Sequence, residues 1–233
     1  MVKILAVVLL ALLWTAPAFG NSVQYNAVTD FSTTSNPNGQ WSYLMNGSLF
    51  TARPCPIAAG IECWWNGGSV PDSPTISKNV TNNPIRENGT VVLPPGELNM
   101  DPETISVVAR WTAPSEGTWF VSGYFSGIDT NEGRHPASVI LDSSTTLFST
   151  SIDRFGEKSL FSFAISLNPG DTVDFEVDPG NAGFFIGTGF NATISNEPIT
   201  TPEPASLSLL LLGVAGLAAR RRWAKRRLAA TPA

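Results

Sequence analysis

The sequence predicts an all-β, antiparallel sandwich as its one folded domain, with a membrane-targeting segment at each end. Two observations favour this class: apolar residues recur with a period of two rather than 3.6, and turns rich in Gly, Pro and Asn separate the runs. In addition, no helical stretch of convincing length lies between the two ends. Short runs separated by turns at regular spacing are typical of two packed antiparallel sheets.

The N-terminal targeting segment is a predicted signal peptide over residues 1–20. A short basic start precedes an apolar core from Ile4 to Trp14, and Ala18 and Gly20 are the small residues before a cleavage point at Asn21. A permanent membrane helix is the alternative, but the apolar core is short for a span. We therefore expect the mature, exported protein to begin near Asn21.

The predicted β-sandwich ectodomain covers residues 21–197. Its clearest strand-like runs are Trp119–Phe125, Ser138–Leu141, Ser159–Leu167, Thr172–Asp178, Phe184–Ile186 and Phe190–Ile194. In the fourth of these, the alternation places Val173, Phe175 and Val177 inward and three acids outward, where we expect them to be solvated. Residues 168–171, Asn-Pro-Gly-Asp, predict a tight turn. The stretch from Asn66 to Asn88, rich in Pro, Asn, Ser and Gly, predicts a surface excursion.

The charge of the exported region limits its partners. About 180 residues remain once both targeting segments are removed, which is enough for one domain with a sizeable core. All nineteen acidic residues lie between Asp30 and Glu203, a part of the chain that holds only seven of the fourteen basic residues, so the formal charge of residues 21–204 is −12 against −5 for the whole chain. Such a surface argues against nucleic acid or anionic lipid as a partner, and is compatible with neutral glycans, divalent cations or simple solubility.

The only two cysteines, Cys55 and Cys63, enclose seven residues. In an exported protein this spacing predicts a disulfide, which would stabilise the fold by roughly 2–3 kcal/mol on the chain-entropy model. Free thiols or metal ligands are the alternative, but two cysteines without a nearby histidine make a poor metal site.

Catalytic chemistry has little support in the sequence. His135 is the only histidine, it lies in a turn-like segment where we expect it on the surface, and the Gly-x-Ser-x-Gly elbow of serine hydrolases does not occur. A pair of carboxylates could hydrolyse glycosidic bonds, but the acids at 174, 176 and 178 share the outward face of one strand. The turn from Asp129 to Gly133 could hold a structural Ca²⁺, although it lacks EF-hand spacing. We therefore predict no catalytic, cofactor-binding or metal-ligating residue.

Aromatic side chains are the best candidates for ligand contacts, because an apolar sugar face packs well on a ring. Of the five tryptophans in the exported region, Trp111 and Trp119 lie in strand-like segments and are predicted core residues. Trp64 and Trp65 are adjacent, so in an extended chain their rings point to opposite sides and one of them is expected to be exposed. We therefore predict Trp64 or Trp65 as a glycan contact. The alternative is that both pack under their own loop.

The C-terminal targeting segment has three parts. A linker at residues 198–204 ends in Pro202, Glu203 and Pro204. Residues 205–219 are uncharged and are predicted to form a transmembrane helix of roughly 22 Å, which is shorter than an apolar membrane core of about 30 Å. Residues 220–233 form a basic tail. Trp223 and the snorkelling arginines lengthen the usable transmembrane stretch. Arg220, Arg221 and Arg222 act as the stop-transfer signal and keep the tail in the cytoplasm. The alternative is an amphipathic surface helix, but the basic residues gather at one end rather than along one face.

The order of Pro-Glu-Pro, apolar helix and basic stop resembles the PEP-CTERM sorting tail of exported bacterial proteins. The resemblance implies that an exosortase-type membrane enzyme processes the chain, which is anchored through the helix before processing and is then at the cell surface or secreted. Whether the tail is cleaved or retained stays open.

The exported region also resembles a group of bacterial β-domains that carry such tails. The resemblance rests on three patches of sequence, at residues 30–43, 108–125 and 167–175. It implies a jelly-roll sandwich similar to carbohydrate-binding modules and to galactose-binding-like domains. On this basis we expect a non-enzymatic cell-surface or matrix protein that contributes to exopolysaccharide or biofilm architecture. The alternatives are a specific glycan-binding module and, more remotely, a glycan-active enzyme.

Overall fold

The computed structural model describes residues 22–51, 57–67, 73–131, 133–180 and 187–198. Every regular element in these residues is a β-strand, and every strand pair is antiparallel. The strands are β1 (Gln24–Asn26), β2 (Trp41–Met45), β3 (Ser48–Leu49), β4 (Ile61–Trp65), β5 (Thr75–Asn79), β6 (Ile85–Glu87), β7 (Val91–Leu93), β8 (Leu98–Asp101), β9 (Val107–Thr112), β10 (Gly117–Gly127), β11 (His135–Leu141), β12 (Thr145–Ile152), β13 (Lys158–Leu167), β14 (Thr172–Val177) and β15 (Thr188–Ser195). The described part of the chain contains no helix long and apolar enough to cross a membrane.

Two large sheets form an antiparallel jelly-roll sandwich. The seven-stranded sheet has the order β13-β10-β15-β8-β5-β4, with β1 also paired to β15, and the six-stranded sheet has the order β12-β11-β14-β9-β2-β3. From β9 onward the chain crosses between the sheets at nearly every step, so neighbours in a sheet are distant in sequence. The predicted all-β sandwich is confirmed.

Aromatic side chains from both sheets fill the core between them. The ring centroids of Phe175 on β14 and Phe190 on β15 lie 4.9 Å apart, and so do those of Trp111 on β9 and Trp119 on β10. Such close aromatic pairs add to the hydrophobic effect of burial. The inward positions predicted for β14 are confirmed, because Val173, Phe175 and Val177 have no exposed surface. Trp111 and Trp119 are confirmed core residues, 0% and 2% exposed.

The tight turn predicted at residues 168–171 is confirmed. Gly170 has a φ of 93°, which favours glycine, and the Asp171 amide donates to the Asn168 carbonyl at 3.2 Å. Strand β15 confirms the predicted run at Phe190–Ile194, whereas the run at 184–186 lies outside the described residues.

The predicted surface excursion between Asn66 and Asn88 is wrong. This stretch contains β5, an interior strand of the seven-stranded sheet, and β6, which pairs with β7 in a separate two-stranded sheet. The strand went unrecognised because its buried residues are mostly polar: Ser77 is 0% and Asn79 is 3% exposed. Composition predicts a loop here, yet tertiary burial selects a strand.

The β6–β7 hairpin lies against the outer face of the seven-stranded sheet. At its tip the Thr90 amide donates to the Glu87 carbonyl at 3.1 Å, which closes a tight turn whose central residues Asn88 and Gly89 both have positive φ, 45° and 79°. Val91 and Leu93 form a second apolar cluster with Ile61 of β4 and Ile128, the residue after β10. The hairpin is also tied by the Val92 amide, which donates to the Ile128 carbonyl at 2.7 Å. One end of the outer face is therefore covered, and the rest stays open.

Candidate functional site

The open part of the seven-stranded sheet's outer face carries a groove of about 520 Å³. It crosses three neighbouring strands, β13, β10 and β15. Its floor is ordered in rows because paired residues of antiparallel strands lie side by side on the same face. One row is Leu160, Tyr124 and Asn191, and the next is Ser162, Ser122 and Thr193. We call these six residues the sheet groove.

The sheet groove combines apolar and hydrogen-bonding surface. Leu160 is 72% exposed, the most exposed large hydrophobic side chain in the described residues, and it lies beside the partly exposed ring of Tyr124. Hydroxyls of Ser122, Ser162 and Thr193 line the adjoining row. A surface that alternates a ring or a methyl-rich side chain with hydroxyls and an amide matches the amphipathic face of a sugar.

The Tyr124 phenol stays protonated, and a lysine ammonium lies over its ring. Burial, followed by the charge of Glu97, raises the pKa of the Tyr124 phenol to about 12, and the Asn191 side chain offsets part of that rise. The Lys158 ammonium lies 3.6 Å from the centroid of the ring. A sugar that stacks on this ring face has to displace Lys158, whose interaction at an exposed site is worth about 0.5–1 kcal/mol.

Hydrogen bonds and close packing fix the floor of the groove. The Asn26 side chain donates to Asn191 Oδ1 and to Thr193 Oγ1, both at 3.0 Å, and Asn191 Nδ2 donates to the Gly96 carbonyl at 3.1 Å. Beneath the floor the Phe161 ring packs against Gly123, where a Cβ atom would lie 2.7 Å from the ring. The groove is thus pre-ordered by the sheet rather than by a loop.

The sequence did not single out the sheet groove, although one signal for it was present. In the strictly alternating run Ser159–Leu167, Leu160 falls on the face opposite Phe161 and Phe163. A large apolar residue on the polar face of a strand is therefore readable from the pattern. Its neighbours Tyr124 and Asn191 are not, because the pairing of β10 with β13 and β15 is a long-range property.

The two tryptophans predicted as glycan contacts point to opposite sides of β4. Trp64 is 3% exposed, lies in the main core and donates its indole N–H to the Ser32 carbonyl at 2.9 Å. Trp65 is partly exposed, and its buried indole nitrogen has no hydrogen-bond partner. Of the pair, only Trp65 retains surface that a ligand could reach, and its role as a glycan contact stays a prediction.

Only one of the two cysteines of the predicted disulfide lies in the described residues. Cys63 is 1% exposed on β4, one residue before Trp64, whereas Cys55 lies outside the described residues. The bridge therefore stays a prediction.

His135 is not on the surface, so that prediction is wrong. It begins β11, is 4% exposed, and its Nδ1 lies 3.1 Å from Thr188 Oγ1. Burial lowers its pKa to about 4, with a partial offset from Asp153. A buried, neutral imidazole bonded to a hydroxyl serves the packing of β11 against β15.

One of the three acids predicted to be solvated is buried. Asp174 has a side chain only 4% exposed and accepts two hydrogen bonds from Arg110, at 2.6 and 2.7 Å. Ser143 donates a third at 2.9 Å. The reason is the pairing of β14 with β9, which places Arg110 directly beside Asp174 on the outer face of the six-stranded sheet.

The turn proposed to hold calcium is only partly described. Asp129 is 2% exposed and its Oδ1 accepts the Asn131 amide at 2.8 Å, while Glu132 lies outside the described residues. The signal peptide at 1–20, the Pro-Glu-Pro motif at 202–204, the helix at 205–219 and the arginines at 220–222 also lie outside them.

The C-terminal tail matches a known motif. Residues 200–222 match the model of the PEP-CTERM protein-sorting motif. The match covers the Pro-Glu-Pro residues, the apolar stretch and the arginines, and it marks the chain as an exported protein with a C-terminal sorting tail. No curated protein matches the sequence.

Several solved structures with a related arrangement are carbohydrate-binding modules. One is a family 35 module from Clostridium thermocellum, with 11% identity, TM-score 0.30, and coverage of 75% of this chain and 98% of that one. Another is the family 35 module from Paenibacillus barcinonensis, with 13% identity, TM-score 0.31, and coverage of 74% and 97%. A third is the C-terminal family 6 module of LamC from Zobellia galactanivorans, with 10% identity, TM-score 0.30, and coverage of 76% and 100%. At such TM-scores these similarities support no inference about a ligand.

Proposed function

We propose that this chain is a non-enzymatic protein of the cell surface or extracellular matrix that contributes to exopolysaccharide or biofilm architecture. An exosortase-type membrane enzyme recognises its tail, and the β-sandwich acts outside the membrane. The sorting motif at residues 200–222 supports the export and processing. The sheet groove supports the choice of polysaccharide as the partner.

The sheet groove suits an extended, neutral polymer. It lies across three strands on an open face and reaches the edge strand β13, so a chain longer than the groove can continue past that edge. Its described lining contains hydroxyl, amide, aromatic and aliphatic groups and no acidic side chain. Because the exported region carries a formal charge of −12, anionic polymers are repelled at long range and neutral ones are not.

A non-catalytic role agrees with the placement of the titratable groups. The one histidine is buried and neutral at physiological pH, away from the groove lining. Asp174, the first of the three acids predicted to point outward from β14, is paired with Arg110. A glycosidase needs two carboxyl groups that flank the bond it cleaves, and the described lining of the groove offers none.

The alternative is a specific glycan-binding module with one saturable ligand. The observation that favours it is the pre-ordering of the groove floor, since a fixed surface loses little entropy on binding. Under this alternative, Trp65 on β4, at the opposite edge of the sheet, would be a separate contact. The two functions differ in selectivity: an architectural protein binds several neutral polysaccharides weakly, whereas a module selects one.

Binding of neutral polysaccharides to the full-length chain in detergent, measured by calorimetry and affinity electrophoresis, tests the proposal. We expect Tyr124→Ala to weaken binding about tenfold, because loss of a stacking ring costs roughly 1.4 kcal/mol. Phe155→Ala is the matched control, since Phe155 is an exposed aromatic residue, 52% accessible, outside the groove. Trp65→Ala separates the two candidate contacts.

Failure to bind any neutral polysaccharide would refute the proposed partner. Equal binding by wild type and Tyr124→Ala would refute the groove. Tight binding of a single glycan, with all others inactive, would favour the specific module over the architectural role.

A further inference from the structure

A cluster of buried acidic and polar side chains lies at the covered end of the same outer face, between the seven-stranded sheet and the β6–β7 hairpin. Asn99 and Asp101 project from β8 on the side opposite the core residues Leu98 and Met100. Glu87 ends β6, and Asp129 lies beside the hairpin through its bridge to Val91. The four exposed fractions are 0% for Asn99, 9% for Asp101, 5% for Glu87 and 2% for Asp129. We call Glu87, Asn99, Asp101 and Asp129 the acidic cluster.

These side chains are close to one another. The charges of Glu103, Glu87 and Asp129 all act on the Asp101 carboxyl, and the Asn99 side chain lies beside the Glu87 carboxyl. Gly187 fixes the remaining side of the cluster: a Cβ atom there would lie 2.8 Å from Asn99 Oδ1, and its backbone lies near the Asp129 carboxylate. The absence of a side chain at 187 leaves room for Asn99.

The acidic cluster contains five of the ten buried polar side-chain atoms that lack a hydrogen-bond partner in the described residues. Glu87 Oε1, Asp101 Oδ1, Asp129 Oδ2 and both polar atoms of Asn99 make no hydrogen bond of good geometry. The hydroxyl of Ser77 on strand β5 shares this condition, whereas the Thr90 hydroxyl at the hairpin tip lies beside the Asp129 carboxyl. A buried polar group without a well-formed hydrogen bond is unfavourable, and the fully buried Asn99 amide has only the Glu87 carboxyl beside it. So many in one place indicate a missing common partner rather than separate faults.

The chemistry of the free atoms defines that partner. They are almost all oxygens, three of them on carboxylates. Arg86, the cation of the β6–β7 hairpin, is exposed and donates to the Gly89 carbonyl at 2.8 Å. At most 9% of any of these four residues is exposed to water that would screen the charges. A dehydrated group of like charges is stable only if the acids are protonated or a cation joins them.

We propose that the acidic cluster binds one Ca²⁺ ion, with oxygen ligands from Glu87, Asn99, Asp101 and Asp129, and that the ion fastens the β6–β7 hairpin to the sheet. Ca²⁺ accepts six to eight oxygens at about 2.3–2.6 Å in flexible geometry, whereas Mg²⁺ requires a tight octahedron. In the described part of the chain no three acidic side chains already converge on one point. The ligand set therefore includes the Asn99 amide oxygen, and the four side chains move toward the ion when it binds. Ca²⁺ tolerates such a ligand set better than the smaller Mg²⁺.

The proposal extends the calcium hypothesis drawn from the Asp129–Gly133 turn but changes its ligands. Only Asp129 is shared, and the other three residues come from β6 and β8. It is independent of the glycan partner, because the acidic cluster is buried and the sheet groove is open.

Calcium titration of the full-length chain tests the proposal, after the protein has been stripped with EDTA in non-ionic detergent. We expect calorimetry to give one Ca²⁺ per chain, and 1 mM Ca²⁺ to raise the melting temperature by about 5 °C. Glu87→Gln and Asp101→Asn should each weaken Ca²⁺ binding at least tenfold. Glu116→Gln, at an exposed turn position, is the matched control and should bind as wild type does.

The melting temperatures of wild type and Glu87→Gln, compared with and without Ca²⁺, distinguish a metal site from a merely structural contact. In EDTA, Glu87→Gln should melt at or above the wild-type temperature, because it removes one of several mutually repelling carboxylates. In Ca²⁺ it should melt below wild type. The proposal is overturned if Ca²⁺ leaves the wild-type melting temperature unchanged, if both cluster variants bind Ca²⁺ like wild type, or if Mg²⁺ binds equally tightly.

Discussion

Individual residues depart most from sequence-based expectation where a polar side chain is buried with a partner distant in sequence. His135 bonds Thr188 across 53 residues, and Asp174 pairs with Arg110 across 64. Nothing local distinguishes such residues from solvated ones, since the same alternation places an acid on an outer face whether or not an arginine lies beside it. The inward positions 173, 175 and 177 were predictable because period-two burial is a local property.

The burial of His135 predicts a dependence of stability on pH. Its folded pKa, about 4, lies below its ordinary value of 6.5, so the unfolded chain binds the proton first as pH falls. The free energy of unfolding therefore decreases between about pH 6.5 and pH 4, by at most about 1.4 kcal/mol per pH unit from this group. Above pH 6.5 the group contributes no slope.

Urea unfolding of wild type and His135→Gln from pH 7.5 to 4 measures this contribution. The difference in free energy of unfolding between the two proteins isolates His135. The raised pKa of Glu87 changes stability with pH in the opposite direction to His135, but it does so equally in both proteins and cancels in the difference. We expect the wild-type advantage at neutral pH to shrink steadily below pH 6.5. A difference that stays constant across the range would contradict the prediction.

At the scale of strands, the long alternating ones were predictable and the short polar ones were not. The runs that correspond to β13 and β14 follow directly from alternation. Strands β5 and β8 carry serine, asparagine and aspartate on the face against which the β6–β7 hairpin lies, so their sequences resemble loops. The sheet groove was missed for a related reason: its rows exist only once β10 is paired with both neighbours.

Gly123 gives a prediction at this scale, because it permits the close contact of β10 with its neighbours. A Cβ atom there would lie 2.3 Å from the Asn191 carbonyl oxygen and 2.7 Å from the Phe161 ring. We expect Gly123→Ala to lower the free energy of unfolding by about 1–3 kcal/mol through overpacking. Strand preference alone would favour alanine by about 0.5–1 kcal/mol, so the sign of the change decides between the two effects.

Chemical denaturation checks the Gly123 prediction, with Ser122→Ala as the neighbouring control. Ser122 is partly exposed on the groove floor and should change stability by less than about 0.5 kcal/mol. If Gly123→Ala is as stable as the control or more stable, the packing argument fails.

At the scale of the whole molecule, the chain consists of a β-sandwich between two predicted targeting segments. Export was easier to predict than the ligand, because a signal peptide and a sorting tail are recognised from consecutive residues. The sorting motif at 200–222 is confirmed. The ligand was harder, because the groove and the acidic cluster both arise from three or more segments brought together by folding.

Deletion of Pro202–Pro204 tests the sorting step. We expect the full-length precursor to accumulate in the membrane, because the processing enzyme loses its recognition element while the apolar stretch and the basic stop remain. Immunoblots of membrane and released fractions measure the shift, with Glu197→Gln as a control outside the motif. Release of the deleted form at wild-type levels would contradict the role of the motif.

Strand β15 is the last strand before the tail, and its position has a mechanical consequence. It is an interior strand of its sheet, joined to β10 through eight consecutive residue pairs and to β8 and β1 on its other side. Tension drawn along it from a tethered C-terminus would load these hydrogen bonds together in shear, instead of opening them one by one. Since Asn191 and Thr193 on β15 also form the groove floor, a polymer held there would transmit a pull straight to the tether. The rest of the sandwich would carry little of that force.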